Sequence, residues 1–155
     1  MESGNTIWTQ SVTGVVIKDG KVLLARHTYG PGRGMLIVPG GYLCQGEMPE
    51  EALVREYLEE TGVLIQPQQL ICIRFNLKDW YAVFRAEYIS GIPVSDNDEN
   101  SEAIWLDVNE ALKRDDVPDL TKKLIECALS GSGFDSIEYN GKNPPYKLYG
   151  TQKGL

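Results

Sequence analysis

The sequence predicts an α/β domain, a mixed β-sheet sandwiched between helices (α/β/α). Three observations lead there. Short β-rich segments outnumber helical ones along the chain, and the helical ones interrupt them, which favours a sheet with helices on its faces. An Asp19-Gly20 pair between two apolar runs signals a hairpin. A segment opening at Pro49 and closing at Gly62 carries helical boundary residues. With 155 residues, 42% hydrophobic and 24% charged, the chain is read as one domain with room for a core.

Ser11 to Ile17 is rich in β-branched residues and reads as a strand. Lys18-Asp19-Gly20-Lys21 turns the chain and Val22 to Arg26 returns. Thr28 to Gly34 contains three glycines and a proline and reads as a mobile loop. Met35 to Val38 is a short strand that Pro39-Gly40-Gly41 ends. At the first position of the next helix Pro49 costs nothing, because its missing N–H has no helical partner there. Gly62 suits the C-terminal cap. On helical spacing Leu53, Val54 and Tyr57 are expected to share a face that packs on the sheet, opposite the carboxylates. Ala52 is expected on the acidic side, its small side chain leaving room for a ligand. Leu70 to Phe75 and Tyr81 to Ile89 read as a second strand pair across Asn76 to Trp80. Ser95 to Ser101 is an acidic loop, Ala103 to Leu106 a strand, and Asp107 the cap of a short helix through Glu110. Asp119 to Leu129 is an amphipathic helix with Leu120, Leu124, Ile125 and Ala128 on one face, ended by Gly131. We divide the chain into a domain, 1–131, and a C-terminal extension, 132–155. The extension, with its prolines, glycines and three tyrosines, reads as an extra strand, an arm of a homodimer or a partly disordered segment.

Composition narrows the function. A net charge of −7 argues against a nucleic acid polymer as partner, since phosphate backbones require clustered Lys and Arg. A small nucleotide held through a metal is compatible with it. Apolar runs such as Met35 to Val38 are too short to cross a bilayer, and Met1 to Asn5 has no signal-peptide pattern. Three cysteines, Cys44, Cys72 and Cys127, have no metal-ligand spacing and suggest no disulfide framework, so a reducing cytoplasm is the expected setting. Cys72 and Cys127 read as small core residues. The single histidine, His27, reads as a surface or edge residue.

The chemistry concentrates in residues 41–63. Glu56, Glu59 and Glu60 stand at i, i+3 and i+4, so a helix sets them on one side. Like charges so placed raise the cost of ionising one another, and a divalent cation resolves the conflict. Hard oxygen ligands suit magnesium, with manganese as a substitute. Arg55, four residues from Glu59, can orient the carboxylates. The Pro39-Gly40-Gly41 turn lets a backbone carbonyl approach a metal without Cβ obstruction. Glu50 and Glu51, by contrast, read as an ordinary solvated face.

This stretch resembles the Nudix box, G-x5-E-x7-R-E-U-x-E-E-x-G-U with U a bulky apolar residue. Gly41, Glu47, Arg55, Glu56, Glu59, Glu60 and Gly62 occupy the specified positions, and Tyr57 and Val63 the U positions. Tyr57 departs mildly, since an aliphatic is usual there. The resemblance implies a Nudix fold and a hydrolase that cleaves a pyrophosphate linkage in a nucleoside diphosphate joined to another group. It implies that Glu56, Glu59 and Glu60 bind metal, with Glu56 the base when the base lies inside the box. It also implies a metal ligand in the carbonyl of Gly40, a bracing role for Glu47, and a further acid from a later loop. Glu99 is the first choice for that acid and Glu102 the second. Arg26, Arg33, Gly41 and Tyr81 are the candidate substrate contacts.

Subfamily markers outside the box narrow the substrate little. Arg26 and Arg33 do not keep the coenzyme A spacing, the Ser-Gln-Pro-Trp run of NADH pyrophosphatases is absent, and Lys78 stands where ADP-ribose hydrolases resemble one another in a proline. Tyr81, 18 residues past Val63, resembles a tyrosine of dinucleoside polyphosphate hydrolases. Nucleoside triphosphates, dinucleotides and nucleotide sugars stay open. The alternative is a catalytically silent Nudix domain that binds or senses a nucleotide. Such domains usually carry a damaged box, and this box is intact.

Overall fold

A computed structural model describes residues 4–151. The outermost residues of the Met1–Asn5 segment and of the extension, 1–3 and 152–155, lie outside the described part. The elements in order are β1 (Thr9–Lys18), β2 (Lys21–His27), β3 (Leu36–Ile37), β4 (Gly40–Tyr42), α1 (Pro49–Thr61), β5 (Leu64–Phe75), β6 (Asp79–Ser90), β7 (Asn100–Asp107), α2 (Val108–Ala111), α3 (Asp119–Leu129), β8 (Asp135–Ile137) and β9 (Leu148–Gly150).

The sheet is mixed. β1 runs parallel to β6 and antiparallel to β2 and β4, β5 pairs β6, and β7 and β3 pair β2, all antiparallel. Asp19 and Gly20 both have positive φ, as the β1–β2 turn requires. Helices cover both faces. Val22, Leu23, Leu24 and Ala25 are all fully buried, the continuous pattern of a strand with no solvent face. On one face Leu53 and Tyr57 of α1 pack with Val12, Val16 and Phe84; on the other, Leu124, Ile125 and Ala128 of α3 pack with Val15 and Val83. Gly14 lies under Leu53, where a Cβ would sit 2.9 Å from its side chain.

Several elements differ from the sequence reading. Gly40–Tyr42 does not simply end a strand but forms one, pairing with Ser11, Val12 and Thr13. β5 starts at Leu64 rather than Leu70, and its register shifts between Pro67 and Gln69 and between Leu70 and Cys72. On α3, Leu120 is 41% exposed and Thr121 takes the buried place. Cys72 and Cys127 are half-buried beside one another, not in the core proper.

The described part of the extension folds back on the sheet. β8 and β9 form a hairpin, Phe134 bridges Leu70 on the edge strand β5, and Tyr149 meets Phe84 edge-on at 5.5 Å. Among the described residues no helix is long and apolar enough to cross a membrane.

Candidate active site

Three segments converge at the outer edge of β4: α1, the glycine turn and the loop before β7. Carboxylate oxygens of Glu56, Glu60 and Glu99 lie within 4.8 Å of one another. Glu56 and Glu60 come from successive turns of α1, and Glu99 faces them from the end of the Ser95–Ser101 loop.

Helix geometry corrects two expectations. At about 100° per residue, Glu60 lies only about 20° from Leu53 around the axis. The acids therefore share the buried face with Leu53 and Tyr57 rather than opposing it. Ala52 lies at the flank of this arc and is fully buried in the core, so it frames no ligand space. Val54 is half-buried and lines an open groove with Leu58 and Pro67. Glu59 stands apart from the converging acids, its side chain 60% exposed and bonded to Arg55.

Arg55 organises the cluster. It donates to both carboxylate oxygens of Glu47 (2.7 and 3.0 Å), to Glu56 Oε1 at 2.8 Å, to Glu59 at 3.2 Å and to the Tyr42 carbonyl at 3.2 Å. Glu47 in turn accepts from the Cys44 N–H, tying the loop after β4 to the helix. These contacts raise the Arg55 guanidinium above its ordinary range and hold Glu47 below its own.

Backbone requires glycine at position 40, and at position 41 glycine leaves the Glu56 carboxylate its place. A Cβ on Gly41 would lie 2.5 Å from the Glu56 carboxylate carbon, and one on Gly40 would overlap the backbone of Val12 and Thr13. Tyr57, the mild departure in the box, sends its hydroxyl to the Gly14 carbonyl beneath the site. Burial, then the neighbouring carboxylates of Glu56 and Glu99, pushes Glu60 up to about 9, and its Oε2 is buried with no hydrogen-bond partner among the described residues. Glu56 is also raised, chiefly by burial, with Arg55 offsetting part of it.

Residues 8–126 match the NUDIX domain. The chain belongs to the Nudix hydrolase family. Family members act as pyrophosphohydrolases on nucleoside diphosphate derivatives and generally use a divalent metal. The chain is 36% identical over 113 residues to the Nudix hydrolase YvcI of Bacillus subtilis, covering 66% of this chain and 69% of that protein. It is 41% identical over 61 residues to an ADP-ribose pyrophosphatase of Methanocaldococcus jannaschii, a match spanning 39% of this chain and 36% of that protein. Its fold superposes on a Nudix hydrolase from Nitrosomonas europaea with a TM-score of 0.73, at 25% identity, over 86% of this chain and 97% of that one.

The other candidate residues of this Nudix domain separate by geometry. Arg26 donates to Glu102 at 2.9 Å, to Asp116 at 3.0 Å and to the Gly34 carbonyl at 2.8 Å. Its guanidinium is thus committed to protein acceptors, and Glu102 is engaged with it rather than with the acids of α1. Arg33 is exposed at the tip of the glycine loop. Tyr81 is held behind the acids, near Thr13, and burial pushes its hydroxyl up to about 12.

Three residues that no sequence motif marks also stand at the site. Tyr29, 55% exposed, stacks on His27 at 5.7 Å, and its hydroxyl is raised by burial and then by Glu99, Glu60 and Glu56. Thr28 fixes Glu99: its N–H and Oγ1 both donate to the Glu99 carbonyl at 3.1 Å, and Oγ1 donates to Asp98 O at 2.6 Å. Asn100, fully buried, donates from Nδ2 to the Glu60 carbonyl at 2.8 Å, while Asp96 Oδ1 receives its N–H. Asp and Asn near a turn often bond local backbone, and that was the available signal.

Proposed function

We propose that this Nudix domain is a Mg²⁺-dependent hydrolase that splits the pyrophosphate bond of a nucleoside diphosphate linked to another moiety. One observation carries the reading: Glu56 and Glu60 of α1 and Glu99 of the loop before β7 bring carboxylate oxygens within 4.8 Å of one another around the unpartnered Oε2 of Glu60. The donor set fits a hard divalent cation, since buried like charges are otherwise held protonated. Glu56, Glu60, Glu99 and the Gly40 carbonyl are the residues that would hold it, with Glu59 at the rim. When bound, the cation supplies charge neutralisation at the phosphates and acidifies a water.

The chain's residues do the rest. Arg55 occupies Oε1 of Glu56, which leaves Oε2 to accept a proton from the attacking water. The water oxygen bonds to phosphorus as the bridging P–O bond breaks, and the leaving phosphate keeps the electron pair. Glu47 and Arg55 keep the acids in register. Arg33 and Tyr29, on the loop beside the acids, contact the phosphates and the flanking moiety. Domain 1–131 carries this chemistry, and the setting is cytoplasmic.

The test is a panel of nucleoside triphosphates, ADP-ribose, dinucleotides and nucleotide sugars, scored by product identity with Mg²⁺ and with chelator. Nucleoside monophosphate or diphosphate released only with metal is the expected result. Ligand binding without turnover of any substrate would favour a binding domain instead.

A further inference from the structure

One polar row crosses the sheet away from the acids. Ser11 pairs with Tyr42 on β4 and with Tyr81 on β6, and Tyr81 pairs with Arg74 on β5. Directly paired residues point to the same face, so Tyr42, Ser11, Tyr81 and Arg74 form a line across four adjacent strands. At the β4 end the backbone borders the acid site: Arg55 donates to the Tyr42 carbonyl and Gly41 faces Glu56, while the Tyr42 side chain points to the opposite face. At about 4.8 Å per strand the line is roughly 14 Å long, comparable to the reach of a nucleotide from its phosphates to its base.

The far end is built. Asp79, 14% exposed, receives Ser11 Oγ at 2.7 Å and Arg74 Nη2 at 3.3 Å on Oδ2, and Thr9 Oγ1 at 3.2 Å on Oδ1. The Arg74 guanidinium lies over the Tyr81 ring, 5.2 Å from its centroid. Its Nε is buried without a partner, and Asp79 is the one acceptor it reaches among the described residues. Both oxygens of Asp79 are occupied, so this corner offers a ligand N–H donors and little acceptance.

We propose that this row is the floor of a nucleobase subsite and that Arg74 selects a base with an acceptor edge, guanine over adenine. The proposal rests on the hydrolase reading above. Guanine presents O6 and N7 as paired acceptors, which suit a guanidinium fork; adenine replaces O6 with an amino donor that would meet the Arg74 donors head-on. Asp79 is the positioning residue that holds the fork.

The experiment compares kcat/KM for GTP and ATP, and for GDP-glucose and ADP-glucose, in wild type, R74A, R74M and D79N. R74M keeps the stem packed over Tyr81 if R74A fails to fold. Wild type should prefer the guanine member of each pair. R74M should lose roughly tenfold to a hundredfold on it while the adenine member changes little. D79N should move the same ratio part of the way. An unchanged guanine-to-adenine ratio in R74M, or a wild-type preference for adenine, overturns the proposal. If wild type turns over none of the four, the full substrate panel decides the hydrolase reading, and direct binding of GDP against ADP tests the subsite alone: tighter GDP binding abolished in R74M supports it, and equal binding refutes it.

Discussion

Gly41 and Glu60 show how single residues set this site. Gly41 was legible in the box, but its reason was not: the Glu56 carboxylate occupies the place of its missing Cβ. Gly41→Ala should displace Glu56 and cut kcat/KM at least tenfold, with little change in far-UV circular dichroism; retained activity would show that the loop can yield. Glu60 carries a sharper consequence. A carboxyl raised from 4.5 to about 9 binds its proton more tightly folded than unfolded. Between those values the folded state holds the extra proton, so stability falls as pH rises across that window. In metal-free protein, Glu60→Gln should remove this slope and be more stable than wild type at pH 8 by ~2 kcal/mol, while turnover with Mg²⁺ drops by orders of magnitude. Melting at pH 5 and pH 8 with chelator measures it. A variant whose stability falls with pH as steeply as wild type would assign the slope to another group.

At the scale of elements, the strong local signals were readable and the context-dependent ones were not. Asp19-Gly20, Pro49 and Gly62 act through their own backbone preferences, and each stands where the sequence places it. β4 was missed because two glycines have poor strand propensity; its pairing is imposed by β1. β8 and β9 are three residues each, with two prolines in the connection between them, and they exist because β5 and Phe84 give them something to cover. The polarity of α1 misled for a physical reason. Charged residues usually mark a solvated face, whereas here Glu56 and Glu60 look into the molecule. The segments that complete the site are fastened by hydrogen bonds to backbone carbonyls that no motif records, from Thr28 to Glu99 and from the Asn100 side chain to Glu60. Asn100→Ala removes the bond that joins the end of α1 to the start of β7. The expected result is a stability loss of ~2 kcal/mol in urea unfolding, together with a fall in kcat larger than the change in KM, because Glu60 and Glu99 lose their mutual register. A variant that loses stability but keeps kcat would reduce Asn100 to a structural tie.

Over the whole molecule, a protein of net charge −7 has gathered three carboxylates at one point and is read as binding a polyanion there. The molecular field alone opposes that encounter. Without a cation, the site is a source of repulsion whose cost is spread over α1, the β4 turn and the loop before β7. With one, the same three segments become cross-linked through their ligands. Since an unfolded chain has no such convergence, binding free energy adds to folding free energy. At about one hundred times the dissociation constant the gain is ~2.7 kcal/mol, which for a chain of this size raises the melting temperature by roughly 5–10 °C. Titrating Mg²⁺ or Mn²⁺ into chelator-treated protein should show this rise without substrate, and chelator should reverse it. Glu99→Gln should blunt the rise, while Glu59→Gln, at the exposed rim, should leave most of it. If the ions leave the melting temperature of wild type unmoved yet restore activity, the cation arrives with the substrate's phosphates, and the three acids serve the complex rather than the free protein.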